Sequence, residues 1–162
     1  MNFREFENED AEFCFRVRSS AFIEKFYNEI GAEAVSLGVN AYMPGDYIRM
    51  SSFMKIFIVE EENQKVGFLT LKKIDEHRAE IPFIYFDLKE IGLGYGSKSL
   101  KFLEDWVKDN WRGVNTIFLD TIIPIYNSGF YKKTGYKEIG KSTCKFFDKE
   151  IPAVRFEKRI NK

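Results

Sequence analysis

Residues 86–97 read Phe86-Asp87-Leu88-Lys89-Glu90-Ile91-Gly92-Leu93-Gly94-Tyr95-Gly96-Ser97 and run without a linker from an apolar stretch into an amphipathic helix. Gly92, Gly94 and Gly96 at alternate positions let the backbone turn tightly and leave no β-carbon in front of its amides. Behind them Leu100, Leu103, Trp106, Val107 and Trp111 recur at helical spacing on one face. Glu104 and Lys108 stand four apart in the favourable order, which places both on the outer side. Such a strand-to-helix junction demands a sheet with helices packed on it. It also aims free amides and the positive end of a helix dipole at one spot, as an anion site requires.

Two better-known glycine loops do not fit. A dinucleotide fingerprint needs its third glycine one residue later, and a phosphate-binding Walker loop ends in Gly-Lys-Ser/Thr, whereas this chain has Gly96-Ser97-Lys98. A glycine-rich turn that merely opens a helix is the plain alternative. The rest of the pattern agrees with an α/β (α+β) chain. Asn2 to Phe6 reads as a strand. Asn8-Glu9-Asp10 opens a helix whose stripe Phe13, Val17, Phe22, Phe26 reaches Ile30 and stops at Gly31, with a weaker helix from Ala32 to Val39. Ile56 and Ile58, then Val66, Phe68 and Thr70, alternate on either side of the polar turn 61–64, which predicts a hairpin. Strands are expected over Ile81–Phe86 (with Pro82 near its start), at Ile117–Leu119, around Tyr136–Lys141 and over Ala153–Ile160, and a short helix over Phe130–Lys133. The chain of 162 residues predicts one domain, 1–162, since a chain of this length buries roughly 70% of its unfolded surface.

Charge narrows the function. Lys plus Arg and Asp plus Glu are both 25, a formal net charge of zero. A basic nucleic-acid footprint is therefore excluded, and a polyanionic ligand must be held locally. No apolar run approaches the ~18 residues of a membrane span, and Met1-Asn2-Phe3-Arg4-Glu5 does not begin a signal peptide. Cys14 and Cys144, with no CxxC or histidine cluster, read as reduced thiols and offer no metal site. A cytoplasmic protein is expected.

A second segment, Phe130-Tyr131-Lys132-Lys133-Thr134-Gly135-Tyr136, is preceded by Asn127 and the strand 117–120. Together the two segments resemble the GNAT-type N-acetyltransferase family. The first looks like that family's cofactor loop, [QR]xxGx[GA], and the second like its FYxxxGF element. The hairpin Phe57–Glu60 with Val66–Phe68 is similar to the family's second and third strands, and Pro152–Lys158 to its last. The resemblance covers residues 2–160 and is weakest over 31–52. It implies a mixed, mostly antiparallel sheet flanked by helices on both faces, acetyl-CoA as cofactor and an amine-bearing acceptor, and it admits a homodimer. Carried over residue by residue, the cofactor contacts are Phe86, Leu88, Gly92, Leu93, Gly94, Tyr95, Gly96, Ser97, Asn127, Phe130 and Lys133, the backbone of Phe86 and Leu88 pairing with the pantetheine arm. Two positions depart from the pattern. Ile91 stands where the family has Gln or Arg. A charge-assisted hydrogen bond is worth roughly 1.5–3 kcal/mol, so affinity falls unless Lys98 or Lys133 substitutes. Asn127 lies only four residues before Tyr131, closer than usual.

An alkylammonium with a pKa near 10.4 is mostly unreactive at neutral pH, so one group must take its proton and another must return one to the thiolate. The resemblance makes Tyr131 the acid; a tyrosine packing before a glycine turn is the alternative. For the base, Asp87 at the end of the central strand stands with Glu80 and Asp120. His77, in the polar turn Asp75-Glu76-His77-Arg78, reads as solvated. Phe22, Phe26, Tyr27, Tyr42 and Tyr47 fall in the acceptor region, where core packing explains most of them. Glu24, Glu29, Glu33 and Asp46 would attract a cationic amine or simply form a solvated face. A module that binds acyl-CoA without transferring its acyl group is the second reading.

Overall fold

The structure, a computed structural model, describes residues 1–123 and 128–160. In chain order its elements are β1 (Asn2–Glu5), α1 (Ala11–Asn40), α2 (Pro44–Met50), β2 (Lys55–Glu61), β3 (Gln64–Lys73), β4 (Arg78–Glu80), β5 (Ile84–Phe86), α3 (Tyr95–Asn110), β6 (Thr116–Ile122), α4 (Ser128–Lys133), β7 (Lys137–Phe146) and β8 (Lys149–Arg159). The strands form one sheet in the order β1-β2-β3-β4-β6-β8-β7, with β5 paired to β3 off that path. Among the described residues the β4–β6 pair is parallel and every other pair is antiparallel.

The β2–β3 hairpin turns through Glu62 and Asn63, both at positive φ, as a tight two-residue connection requires. Its strands are buried on both faces, because successive side chains point oppositely and each face meets a helix layer. Ile56, Ile58 and Phe68 pack with Ala11, Cys14 and Val17 of α1 and with Tyr47 and Met50 of α2. Phe57, Val59, Leu69 and Leu71 pack with Leu100, Leu103 and Val107 of α3. Each such side chain contributes about 1.5–3 kcal/mol by leaving water. Helices thus cover both faces of the sheet.

Gly31, at φ 81 and ψ 162, divides α1 into two helical halves, as its position after Ile30 predicts. The halves stay close, since a β-carbon on Gly38 would meet the Phe22 ring at 2.4 Å. Phe22, Phe26, Ala34 and Val35 from the two halves then pack on Ile122, Phe146 and Ile151.

Two expectations are corrected. Glu104 is not on the outer side: it is 5% exposed, and its carboxylate takes both bonds from Lys158 Nζ at 2.8 Å. Helical spacing fixed the pair's separation, but β8 lies over that face of α3 and supplies the cation. Nor is Ile81–Phe86 one strand. Between the β3–β4 pair Lys72↔Glu80 and the β3–β5 pair Leu69↔Ile84, three residues face two. One is therefore extra, a bulge. Pro82 falls inside it, where its missing amide costs no ladder bond. Phe83 donates its amide to Thr70 Oγ1 at 2.8 Å instead.

The bulge splits the sheet. β4 stays beside β6, ending at Glu80↔Phe118 and an Ile81 amide bond to the Phe118 carbonyl. β5 follows β3, and from Leu119 onward β6 pairs with β8 alone. A gap opens between β5 and the end of β6.

Candidate active site

On one side of the gap lies the glycine loop. Its first turn is a short 3-10 helix, Leu88–Glu90, closed by a bond from the Glu90 amide to the Asp87 carbonyl. Gly92 and Gly94 sit at φ 93 and 80 with nothing within 4 Å of a built β-carbon. Their backbone conformation, not crowding, calls for glycine. Gly94 caps α3, so the amides of Tyr95, Gly96 and Ser97 open the helix and have no acceptor within it. No acidic side chain occupies that first turn. Gly96 differs, because a β-carbon there would meet the Phe130 ring at 2.9 Å. The two motifs of the sequence are thus in contact, α4 resting on the first turn of α3.

The other proposed cofactor contacts are placed unevenly. Phe86 ends β5 opposite Gly67, where a β-carbon would meet the Phe86 ring at 2.4 Å, and its ring lies 6.0 Å from that of Tyr95. Leu88 has left the strand for the 3-10 turn, so its backbone continues no ladder. Leu93 and Ile91 are 57% and 52% exposed. Lys133 ends α4 on the surface, and Lys98 is exposed in the first turn of α3. Asn127 lies outside the described residues.

On the other side is a cavity of about 350 Å³ walled by α1, the bulge and β5, the end of β6, α4 and β7. Tyr131, Glu80 and Asp120 all line it. Asp87 does not. Its carboxylate pairs with Arg16 at 3.1 Å. Tyr131 is held among the rings of Phe130, Phe156 and Tyr136 at 5.1, 5.3 and 6.3 Å. Its carbonyl accepts the Tyr136 amide at 3.0 Å, and Gly135 turns the chain there at φ 89. Burial, with a contribution from Tyr85, pushes the Tyr131 hydroxyl above its usual pKa and keeps it protonated. Glu80 is raised as well: burial leads, Asp120 adds, and Lys72 and Arg155 oppose. Asp120 is committed elsewhere, accepting from Arg155 Nε and Nη2 at 2.9 and 2.7 Å and from Ser142 Oγ at 2.9 Å.

Of the aromatic set, Phe22, Phe26 and Tyr42 line the cavity. Tyr47 is buried core and Tyr27 is surface, 53% exposed. Glu24, Glu29, Glu33 and Asp46 are not among the lining residues, and His77 sits in an exposed turn. Cys14 and Cys144 are free thiols. Cys144 also lines the cavity, and burial, reinforced by Asp120 and Glu80, pushes its thiol up to about 11. The sequence reading passed over Arg18, which lines the cavity from α1. Its signal was present, a basic residue directly after Val17 in an apolar stripe, but a charge beside a stripe usually faces water.

A split mixed sheet, a glycine loop at the central strand's end and helices on both faces define the class: an N-acetyltransferase-type α/β fold. Solved structures agree. A GCN5-related N-acetyltransferase from Rhodopseudomonas palustris superposes with a TM-score of 0.82 at 18% identity, covering 98% of this chain and 94% of that one. The PaiA N-acetyltransferase from Thermoplasma acidophilum, solved in complex with coenzyme A, gives 0.78 at 19% identity, with 98% of each chain covered. Spermidine N-acetyltransferase from Vibrio cholerae, in complex with CoA and spermine, gives 0.72 at 15% identity, covering 98% and 95%. At these identities the likeness is one of fold. No curated protein matches the sequence. The chain belongs to the acetyltransferase (GNAT) family, whose model matches residues 20–136. No helix among the described residues is long and apolar enough to cross a membrane.

Proposed function

We propose that the protein moves the acetyl group of acetyl-CoA to a primary amine by direct attack in a ternary complex. One observation carries this reading: the cavity in the split of the sheet holds, in the same walls, a protonated tyrosine and a carboxylate that has no bonded partner among the described residues, next to the strand that runs into the glycine loop. Bound acetyl-CoA supplies a thioester carbonyl open to a neutral amine and a thiolate that can leave. The amides of Gly92 to Ser97, unopposed by any first-turn carboxylate, suit its pyrophosphate. The edge of β5 away from β3, unpaired among the described residues, suits the amides of its pantetheine arm, as an added strand would use it. Glu80, rather than Asp87, takes the proton from the ammonium, directly or through water, because Glu80 lines the cavity and Asp87 pairs with Arg16 outside it. Its raised pKa brings it closer to the amine's and makes it a stronger base. Tyr131 holds its proton at Oη and gives it to the thiolate as the C–S bond breaks, and the proton that the newly acylated nitrogen sheds restores the tyrosine.

Acetyl-CoA should raise the melting temperature, by about 2.7 kcal/mol of stability at a hundredfold excess over Kd, and NAD should not. Free thiol should appear when an amine is added. Stabilisation by NAD equal to that by acetyl-CoA would refute the loop assignment. Exposed Ile91 at the family's Gln/Arg position favours a second reading, an acyl-CoA-binding module without transfer. Binding with no thiol release across an amine panel would select it.

A further inference from the structure

Arg18 is among the largest fully buried side chains, 1% exposed. It sits in a cage of rings, its guanidinium carbon 4.7 Å from the centroid of Tyr42, 5.1 Å from Phe22 and 5.4 Å from Phe83. Nη1 donates to the Gly38 carbonyl at 2.8 Å, and the guanidinium meets the Tyr85 hydroxyl. Those bonds leave most of its five N–H groups to be satisfied. Nε is buried with no hydrogen-bond partner, and no carboxylate pairs with Arg18 among the described residues. Rings attract the faces of a guanidinium; its in-plane N–H groups require acceptors. A guanidinium cannot escape by losing its proton, and a buried charge persists only when something answers it.

The cavity is the place from which an answer can come, because Arg18 is part of its wall. Its other charged lining groups are Lys25, Glu80, Asp120 and Lys145. Asp120 is occupied by Arg155, so the cations outnumber the available carboxylates. Arg18 and Glu80 both act on Tyr42, yet among the described residues no ion pair or hydrogen bond joins them, and Arg18 Nε keeps no partner. Arg18 and Glu80 thus line one cavity of about 350 Å³ without answering each other, a volume suited to a small molecule. A polyamine brings only cations and leaves the guanidinium unanswered.

We infer that the acceptor is a small amino acid, its amine directed to Glu80 and Tyr131 and its carboxylate bound by Arg18 in the aromatic cage. This rests on the acyl-transfer reading and adds the substrate class. The planar fork of the guanidinium matches a carboxylate, and the surrounding rings exclude competing water.

The test compares pairs of acceptors that differ only in the carboxylate, such as an aromatic α-amino acid and the amine left by its decarboxylation. Free thiol release from acetyl-CoA is followed with the wild-type protein. The amino acid should show a kcat/KM higher by about ten- to a hundredfold, the worth of one charge-assisted hydrogen bond. Arg18→Met, which keeps the stem among the rings, should remove that preference while acetyl-CoA affinity stays within a factor of about two. A purely structural arginine would lower both members of each pair together and leave their ratio unchanged. If Arg18→Met does not fold, the wild-type ratio alone decides. Equal rates, or a faster bare amine, overturn the inference and leave acyl transfer standing. No thiol release with any acceptor overturns both.

Discussion

On the β5 side of the split, a ligand would meet backbone: amides freed by Gly92 and Gly94 at positive φ and the first turn of α3. On the α1 and β6 side it would meet side chains: Arg18, Glu80, Tyr131 and a set of rings. On the proposed function, the difference follows from what each wall would recognise. A pyrophosphate and a chain of amides can be bound by dipoles that every residue carries, so the wall needs only the right φ angles. An acceptor with its own charges needs particular side chains at particular depths. Those come from elements far apart in sequence, with α1, β4, β6, α4 and β7 each contributing a lining residue. The first wall is local in the chain, the second is assembled.

The strongest way to break this contrast is to remove chemistry from the side-chain wall. Tyr131→Phe and Glu80→Gln should each lower kcat about 10²–10⁴-fold while acetyl-CoA affinity barely changes. The pH profile sharpens the assignment. A base whose pKa is raised in the folded protein is inactive below that pKa and active above it. kcat/KM should therefore climb with pH through a value above the ordinary ~4.3 of a glutamate, and Glu80→Gln should erase that limb. Unchanged kcat in the phenylalanine variant would make Tyr131 a packing residue, and an unchanged limb would return the base role to Asp87 or to water.

Next in size is the tie between the walls. Lys158 binds Glu104 of α3 and the Thr134 carbonyl after α4, so it holds the helix bearing Tyr131 over the sheet. Lys158→Met strands the buried Glu104 and should cost about 3–5 kcal/mol. That corresponds to a Tm lower by about 2–4 °C for each kcal/mol, measured by calorimetry. A loss below about 1 kcal/mol would show Glu104 taking up a proton or water instead.

The smallest effects test the backbone wall. Gly94→Val places a branched side chain at φ 80, a strain of about 1–3 kcal/mol, and sets it where phosphate would approach. Acetyl-CoA affinity should fall by roughly tenfold or more. Ile91→Arg should leave stability alone and tighten acetyl-CoA by about ten- to a hundredfold, read by calorimetric titration. Affinity unmoved by arginine would mean that Lys98 or Lys133 already serves the phosphates.

Much of this molecule was settled by short-range pattern. The apolar stripe ending at Gly31, the period-two hairpin and the glycines running into the face of α3 each express a physical rule acting within a few residues, and each appears where that rule puts it. The loop was legible for the same reason, since positive φ is a local demand that glycine meets. Position along an element was not enough for what depends on its neighbours. Pro82 marked a weak point, but the bulge and the split arise from β4 holding to β6 while β5 follows β3. Asp87 and Glu80 looked alike as carboxylates near one strand. Only the folded sheet gave Asp87 to Arg16 and left Glu80 in the cavity. Glu104 read as a surface charge on an amphipathic helix and Arg18 drew no reading at all, and each is buried because another element covers it, β8 in one case and the second half of α1 with the bulge in the other. Charge burial is a property of the surroundings, and in this chain the surroundings come from residues far along the sequence, Lys158 for Glu104 and Phe83 for Arg18.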